Sequence, residues 1–163
     1  MDTASANQDR LSFFGIESKD YKSFPRILKL LQKHAPEALA DFYEKIAATP
    51  EVAKFFKSKQ NMDHARDKQL NHWVQLFSNQ IGENYFGKAE QIGSVHARIG
   101  LAPTWYIGGY AMVLEQLIHE AVASSPLARL AGNNLGKVIG TLVKCALLDM
   151  DIALSSYFRA EEA

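Results

Sequence analysis

Apolar residues recur at steps of three and four along most of the chain, which is the spacing of one face of a helix. The longest early stripe has six members: Ile27, Leu31, Ala35, Ala38, Phe42 and Ile46. Pro25 and Pro36 fall within this stretch, so we expect a break or kink at one or both. Strand-like alternation of useful length and internal repeats are both lacking, so the pattern predicts an all-α domain.

Two further helices follow this stripe. Thr49-Pro50-Glu51 predicts a short helix, with the threonine as cap and the proline in the first turn. A longer helix is predicted from about Asn61 to Ile81, and its inner stripe consists of Met62, Ala65, Gln69, Trp73 and Leu76. Gln69 is the polar member of that stripe, and it needs a hydrogen-bond partner if it is buried.

The run from Ile92 to Tyr110 carries the most chemistry. Its first half predicts a helix that Gly100 ends, since glycine accepts the left-handed conformation of many helix stops. Pro103 predicts the first turn of the next helix, which extends to about Ala123. Gly108-Gly109 inside that helix costs about 1 kcal/mol per glycine relative to alanine. Close approach to another helix or to a cofactor would compensate for this cost.

His96 lies on the apolar face of the first of these two helices, and aromatic residues follow it closely in the chain. The face is formed by Ile92, Val95 and Ile99, and the aromatic residues are Trp105, Tyr106 and Tyr110. An imidazole in such a wall can hold a flat, apolar metal cofactor. The alternative is a core histidine that is bonded to the backbone.

The last predicted helix has apolar residues on more than one side, after a polar loop over Ser124–Asn134. Leu142, Ala146 and Leu154 belong to its main stripe, which ends at Phe158, and a second set lies off that stripe: Val143, Leu148 and Tyr157. A single domain would leave the second set in water, so we expect it to contact a partner.

Composition narrows the class of protein. The 163 residues suit one domain, and 47% hydrophobic with 22% charged residues is ordinary for a soluble protein. The 18 basic and 18 acidic side chains cancel, which argues weakly against a nucleic acid or an anionic membrane as partner. Cys145 is the only cysteine, so no intrachain disulfide can form. The N-terminus reads MDTASANQDR, which is polar, and we expect residues 1–10 to be loose and the protein to be cytoplasmic.

Signatures of common enzymes are missing. The chain has no glycine-rich phosphate loop, no His-Glu-x-x-His pair and no nucleophile elbow. Glu44, Glu115 and Asp149 are interpreted as isolated carboxylates without a partner. Catalysis by this chain is therefore not expected.

The segment VHARIGLAPTWYIGGY resembles the proximal segment of the globin-coupled sensors, which are bacterial haem sensors built on a globin fold. The likeness continues through DKQLNHWVQLF and the Phe42-Tyr43 pair, and it covers nearly the whole chain. It implies an all-α, globin-like helical sandwich without a distinct D helix. It also implies an N-terminal extension over 1–18, a haem-binding domain over 19–158 and the start of a linker over 159–163.

The resemblance assigns roles to individual residues. His96 would bind the iron of one haem b, held non-covalently because no Cys-x-x-Cys-His is present. Tyr43 would donate to dioxygen, with Gln69 and Ala65 facing the same side, and Tyr106 would respond to ligation. The remaining implied contacts are Phe42, Phe56, Trp73, Ile92, Ile99 and Tyr110. Among the other histidines, His64 falls off the inner stripe, and His72 is expected to be structural.

The implied function is sensing of diatomic gases, chiefly dioxygen but also carbon monoxide and nitric oxide. A homodimer formed by the last two long helices would carry the signal to an output domain. The preferred output is a diguanylate cyclase, and a histidine kinase or a chemotaxis transducer is the alternative. Two alternatives stay open at this point: a single-domain globin of the protoglobin kind, and a haem-free interaction module.

Overall fold

A computed structural model describes residues 3–124 and 132–161. These ranges contain eight helices and no strand: α1 (Thr3–Phe13), α2 (Ser18–Tyr21), α3 (Phe24–Ala47), α4 (Pro50–Ala53), α5 (Lys59–Ser78), α6 (Glu83–Arg98), α7 (Pro103–Ala123) and α8 (Gly132–Glu161). The predicted all-α class is confirmed. Residues 54–58, between α4 and α5, form no helix, which agrees with the expected lack of a D helix.

The long helices form two contacting groups. α3 packs against α5 and α7, while α8 packs against α6 and α7, so α7 is shared by both groups. The largest fully buried side chains come from both groups: Ile27, Leu31, Leu39, Phe86, Val113, Leu148 and Ile152. In the described part of the chain, no helix has the length and apolarity needed to cross a bilayer.

The helix α3 is not broken at either proline. Pro25 lies in its first turn, where the missing N–H has no helical acceptor to lose. Pro36 lies inside the helix, where a proline costs about 3 kcal/mol or more. Buried residues on both sides of it, such as Leu31 and Leu39, hold the helix against the core and offset that cost.

The N-terminal segment is more ordered than its polarity predicts. Instead of being loose, residues from Thr3 onward form α1. Asn7 Nδ2 donates to Glu83 Oε2 on α6 over 3.0 Å, and Arg10 Nε pairs with Asp151 Oδ2 on α8 at 2.9 Å. Partners 76 and 141 positions away in the chain fix this helix, and local composition cannot reveal them.

The partner-facing side predicted for α8 is partly wrong. Leu148 is completely buried in the domain's own core, whereas its neighbour Leu147 is 45% exposed. Phe158, which was assigned to the inner stripe, is 70% exposed. The error arises because α8 contacts both α6 and α7, so its buried arc is broader than one stripe.

The predicted loop before α8 is shorter than expected at its C-terminal end. The helix begins at Gly132, so Asn133 and Asn134 are helical. Residues 125–131 of the loop lie outside the described residues.

Candidate functional site

His96 is positioned by the stop of α6 and the start of α7. Gly100 has φ +75°, a conformation that glycine adopts without steric cost, and Pro103 opens α7. Both sequence predictions are confirmed. The short connection between α6 and α7 places Tyr106 next to His96. Their ring centroids are 5.2 Å apart and their planes are inclined at 54°.

One nitrogen of the His96 ring lacks a partner. Nδ1 is buried and makes no hydrogen bond of acceptable geometry, although the Ile92 carbonyl is near enough to favour the protonated ring. Burial is the stronger influence, and it lowers the pKa of His96. The ring is therefore neutral at neutral pH, which is the form that binds metals.

Several large apolar side chains near His96 are exposed to solvent. Val95 precedes it on α6, Ile99 directly follows the end of α6, and Trp105 precedes Tyr106 on α7. All three are more than a third exposed. Ile92 is half-buried one turn earlier. An imidazole beside apolar surface is the arrangement that the sequence predicted for a flat apolar ligand.

Tyr43 and Gln69 form a polar pair between α3 and α5. The Tyr43 hydroxyl donates to Gln69 Oε1 over 3.2 Å, which supplies the partner that a polar residue on the inner stripe of α5 requires. Burial raises the pKa of Tyr43 to about 12, so the phenol remains a donor at neutral pH. Its ring packs edge-on against Phe56, and Ala65 is half-buried on α5.

The close approach expected at the double glycine occurs at Gly109. A Cβ on this residue would lie 2.5 Å from Cζ of Phe42, so no larger residue fits without movement of the ring. Gly108 meets nothing within 4 Å. The contact seats the Phe42-Tyr43 pair of α3 directly against α7.

Three aromatic residues lie between the main core and a smaller apolar cluster. The main core and a smaller cluster of Ile46, Val52 and Leu101 are both contacted by Phe42, Tyr43 and Tyr106. Since Tyr106 also contacts His96, the cluster that Tyr43 packs against is one contact away from the histidine.

Asp149 is not the isolated carboxylate that the sequence suggested. It is 2% exposed, and its Oδ1 lies 2.7 Å from His72 Nε2. The hydroxyls of Tyr85 and Tyr110 also donate to it, and Trp73 Nε1 donates to Tyr110 over 3.3 Å. The signal that could have revealed this cluster is a carboxylate within the apolar stripe of α8.

The charge of Asp149 is stabilised by its donors. Burial opposes ionisation, but the hydrogen bonds from His72 and the two tyrosines hold its pKa below the usual range. An ionised carboxylate only accepts, so His72 Nε2 carries the hydrogen. Two residues assigned to the site, Trp73 and Tyr110, are thus engaged with this network, and the structural role expected for His72 agrees with the structure.

His64 and a small cavity in the core both lie away from His96 and Tyr43. His64 is exposed on α5. A cavity of about 30 Å³ lies on the core side, against Trp73, Tyr110 and Asp149, and it is too small for a porphyrin.

Comparison with known proteins agrees with this architecture. The protoglobin family model matches residues 3–163. The Heme-based aerotactic transducer HemAT of Halobacterium salinarum is 24% identical over 154 residues, which cover 91% of this chain but 32% of that protein. The chain therefore spans about a third of the length of this relative.

Two solved structures share the fold. The globin domain of the Geobacter sulfurreducens globin-coupled sensor superposes with a TM-score of 0.82 at 18% identity, covering 93% of this chain and 97% of that domain. The ferric globin domain of E. coli DosC superposes with a TM-score of 0.71 at 16% identity, with the same coverage. With a globin fold and a family match over nearly its whole length, the chain belongs to the protoglobin family.

Proposed function

We propose that this domain binds one haem b non-covalently through His96 and reversibly binds dioxygen. The observation that carries the proposal is the neutral, half-buried His96 ring, which lies beside exposed apolar side chains. The Ile92 carbonyl can accept the N–H of the ring nitrogen that does not bind iron. Haem supplies the iron at which diatomic gases, including carbon monoxide and nitric oxide, bind reversibly.

The residues present suit this group. The family implies an apolar, flat ligand, and Ile92, Ile99 and Trp105 offer apolar surface next to the histidine. Tyr43 offers a neutral phenol that Gln69 orients, while Phe42 and Phe56 keep its surroundings apolar. In this proposal Tyr43 is the donor to the gas ligand, and Ala65 leaves space beside it.

We further propose that gas binding is signalled through α7 and α8 of a homodimer. Val143, Leu147, Leu154 and Phe158 share one face of α8 by helical spacing, and none of them is fully buried. A second copy would cover this face by pairing the two long helices with their counterparts. The chain is similar to about a third of an aerotactic transducer, which supports a role as the sensing part of a signalling protein. In this proposal the signal would reach an output domain in the cytoplasm, with a diguanylate cyclase as our candidate.

Absorption spectroscopy tests the haem proposal. Purified protein supplied with haem is expected to show a stoichiometric Soret band that shifts when oxygen is added to the ferrous form. His96→Ala should lose tight haem binding and regain the band with added imidazole, whereas the matched control His64→Ala changes an exposed histidine and should behave as wild type. A wild-type protein without a Soret band would instead favour a haem-free module. An unchanged spectrum in His96→Ala would place the iron ligand elsewhere.

A further inference from the structure

The Asp149 carboxylate is the point where four long helices meet through polar groups. His72 comes from α5, Tyr85 from α6 and Tyr110 from α7, and all three donate to this carboxylate on α8. Its Oδ1 accepts from His72 and Tyr85, and its Oδ2 accepts from Tyr110. A shift of any of these helices relative to α8 therefore changes a bond to a buried charge.

A short series of contacts leads from His96 to this carboxylate. The His96 and Tyr106 ring centroids are 5.2 Å apart, and those of Tyr106 and Tyr110 are 5.3 Å apart. Tyr110 then donates to Asp149. Burial raises the pKa of the Tyr106 hydroxyl most strongly, and the negative charge of Asp149 raises it further. The Tyr106 hydroxyl therefore lies within the electrostatic influence of Asp149.

We propose that Asp149 is a positioning residue that couples the ligation state of the His96 site to helix α8. This inference rests on the proposed function. A displacement of Tyr106 moves Tyr110, which must then either carry Asp149 with it or release it. Release would leave a buried anion with one donor fewer, which is unfavourable, so α8 follows Tyr110 instead. The two ligation states would thus hold α8 in two arrangements, as coupling between sites requires.

A second buried carboxylate provides a matched control. Asp20 is 5% exposed and is likewise bonded to α8, with Thr141 Oγ1 at 2.7 Å and Lys144 Nζ at 2.6 Å. The backbone N–H of Glu17 donates to its other oxygen over 2.9 Å. These partners belong to α8 and to the start of α2, away from the tyrosines, so loss of this charge should weaken the fold without affecting the coupling.

The experiment measures amide hydrogen exchange along α8 by mass spectrometry, in the ferrous protein with and without carbon monoxide. Wild type and Asp20→Asn are expected to show a ligand-dependent change in exchange around residues 149–157 of about fivefold or more. Asp149→Asn should keep stoichiometric haem but lose most of this change. Tyr110→Phe removes the donor to Oδ2, together with the acceptor of Trp73 Nε1, and should also reduce this change. It provides a second variant if Asp149→Asn does not fold.

Four outcomes would overturn the inference. These are a wild-type α8 that does not respond to the ligand, an Asp149→Asn variant that responds fully, a Tyr110→Phe variant that responds fully, and equal losses in Asp149→Asn and Asp20→Asn. The last would mean that any buried charge on α8 matters equally. A wild-type protein that fails to bind haem is a different result, because it refutes the proposed function itself.

Discussion

The Tyr43 hydroxyl donates to Gln69 Oε1 across 3.2 Å, and this bond joins α3 to α5 beside the candidate site. Tyr43 is neutral because burial raises its pKa to about 12, so it can donate only one hydrogen at a time. Gln69 accepts this hydrogen through Oε1, and its amide nitrogen keeps two hydrogens of its own to donate. In the proposed function, Gln69 orients the phenol and offers a second donor, so both side chains would favour gas ligands that are good acceptors.

Tyr43→Phe should raise the dissociation rate of dioxygen severalfold, because one buried hydrogen bond contributes about 0.5–1.5 kcal/mol. Carbon monoxide is a weaker acceptor, and its dissociation rate should barely change. Gln69→Leu should affect dioxygen in the same direction but less. Stopped-flow measurements on both gases provide the check. Equal changes for the two gases would indicate altered pocket shape instead, and a larger effect of Gln69→Leu would identify Gln69 as the main donor.

Gly109→Ala should destabilise the haem-free protein by about 1–3 kcal/mol, because the new methyl group overlaps the Phe42 ring. Gly108→Ala is the matched control on the same helix, where nothing lies within 4 Å. This change should be neutral or stabilising by up to about 1 kcal/mol. Urea unfolding monitored by circular dichroism measures both. Adding Phe42→Leu to Gly109→Ala should restore part of the loss, and failure to do so would show that Phe42 is not the obstacle.

Leu147 and Leu148 are neighbours with opposite environments, which allows the dimer to be tested apart from folding. Leu147→Asp should weaken self-association at least about tenfold while leaving the fold intact, since a side chain of this size contributes about 1.5–3 kcal/mol on burial. Leu148→Asp places a charge in the core and should cost more than about 4 kcal/mol of folding stability. Sedimentation velocity and thermal unfolding separate the two effects. A wild-type protein that stays monomeric at tens of micromolar has an association free energy weaker than about 6 kcal/mol, and this result would refute the proposed dimer.

Asp149 should make the fold sensitive to acid. Its folded pKa lies below the unfolded value of 3.8, so its contribution to stability is present above about pH 4 and is lost as the pH falls through the folded pKa. Asp149→Asn should therefore be less stable than wild type at neutral pH. Its free energy of unfolding should also fall less steeply than that of wild type as the pH is lowered. The exposed Asp9→Asn should follow the wild-type curve. Urea unfolding from pH 3 to 7 checks this, and parallel curves for wild type and Asp149→Asn would contradict it.

The sequence by itself determined the features that depend on chain neighbours. The apolar stripe of α3, the end of α6 near Gly100 and the start of α7 at Pro103 all follow from local spacing and backbone preference. His96 could be placed on an apolar face for the same reason. The roles assigned to the site residues remain predictions.

The tertiary structure alone decided which faces meet. Asp149 receives donors from positions 77, 64 and 39 residues away, and helical periodicity contains no information about such partners. A close approach of α6 and α8 is equally nonlocal, since a Cβ on Gly93 would lie 2.3 Å from the carbonyl oxygen of Ala153. Periodicity identifies residues that share a side of a helix, but the packing of α8 against both α6 and α7 determines that Leu148 is inside and Leu147 outside.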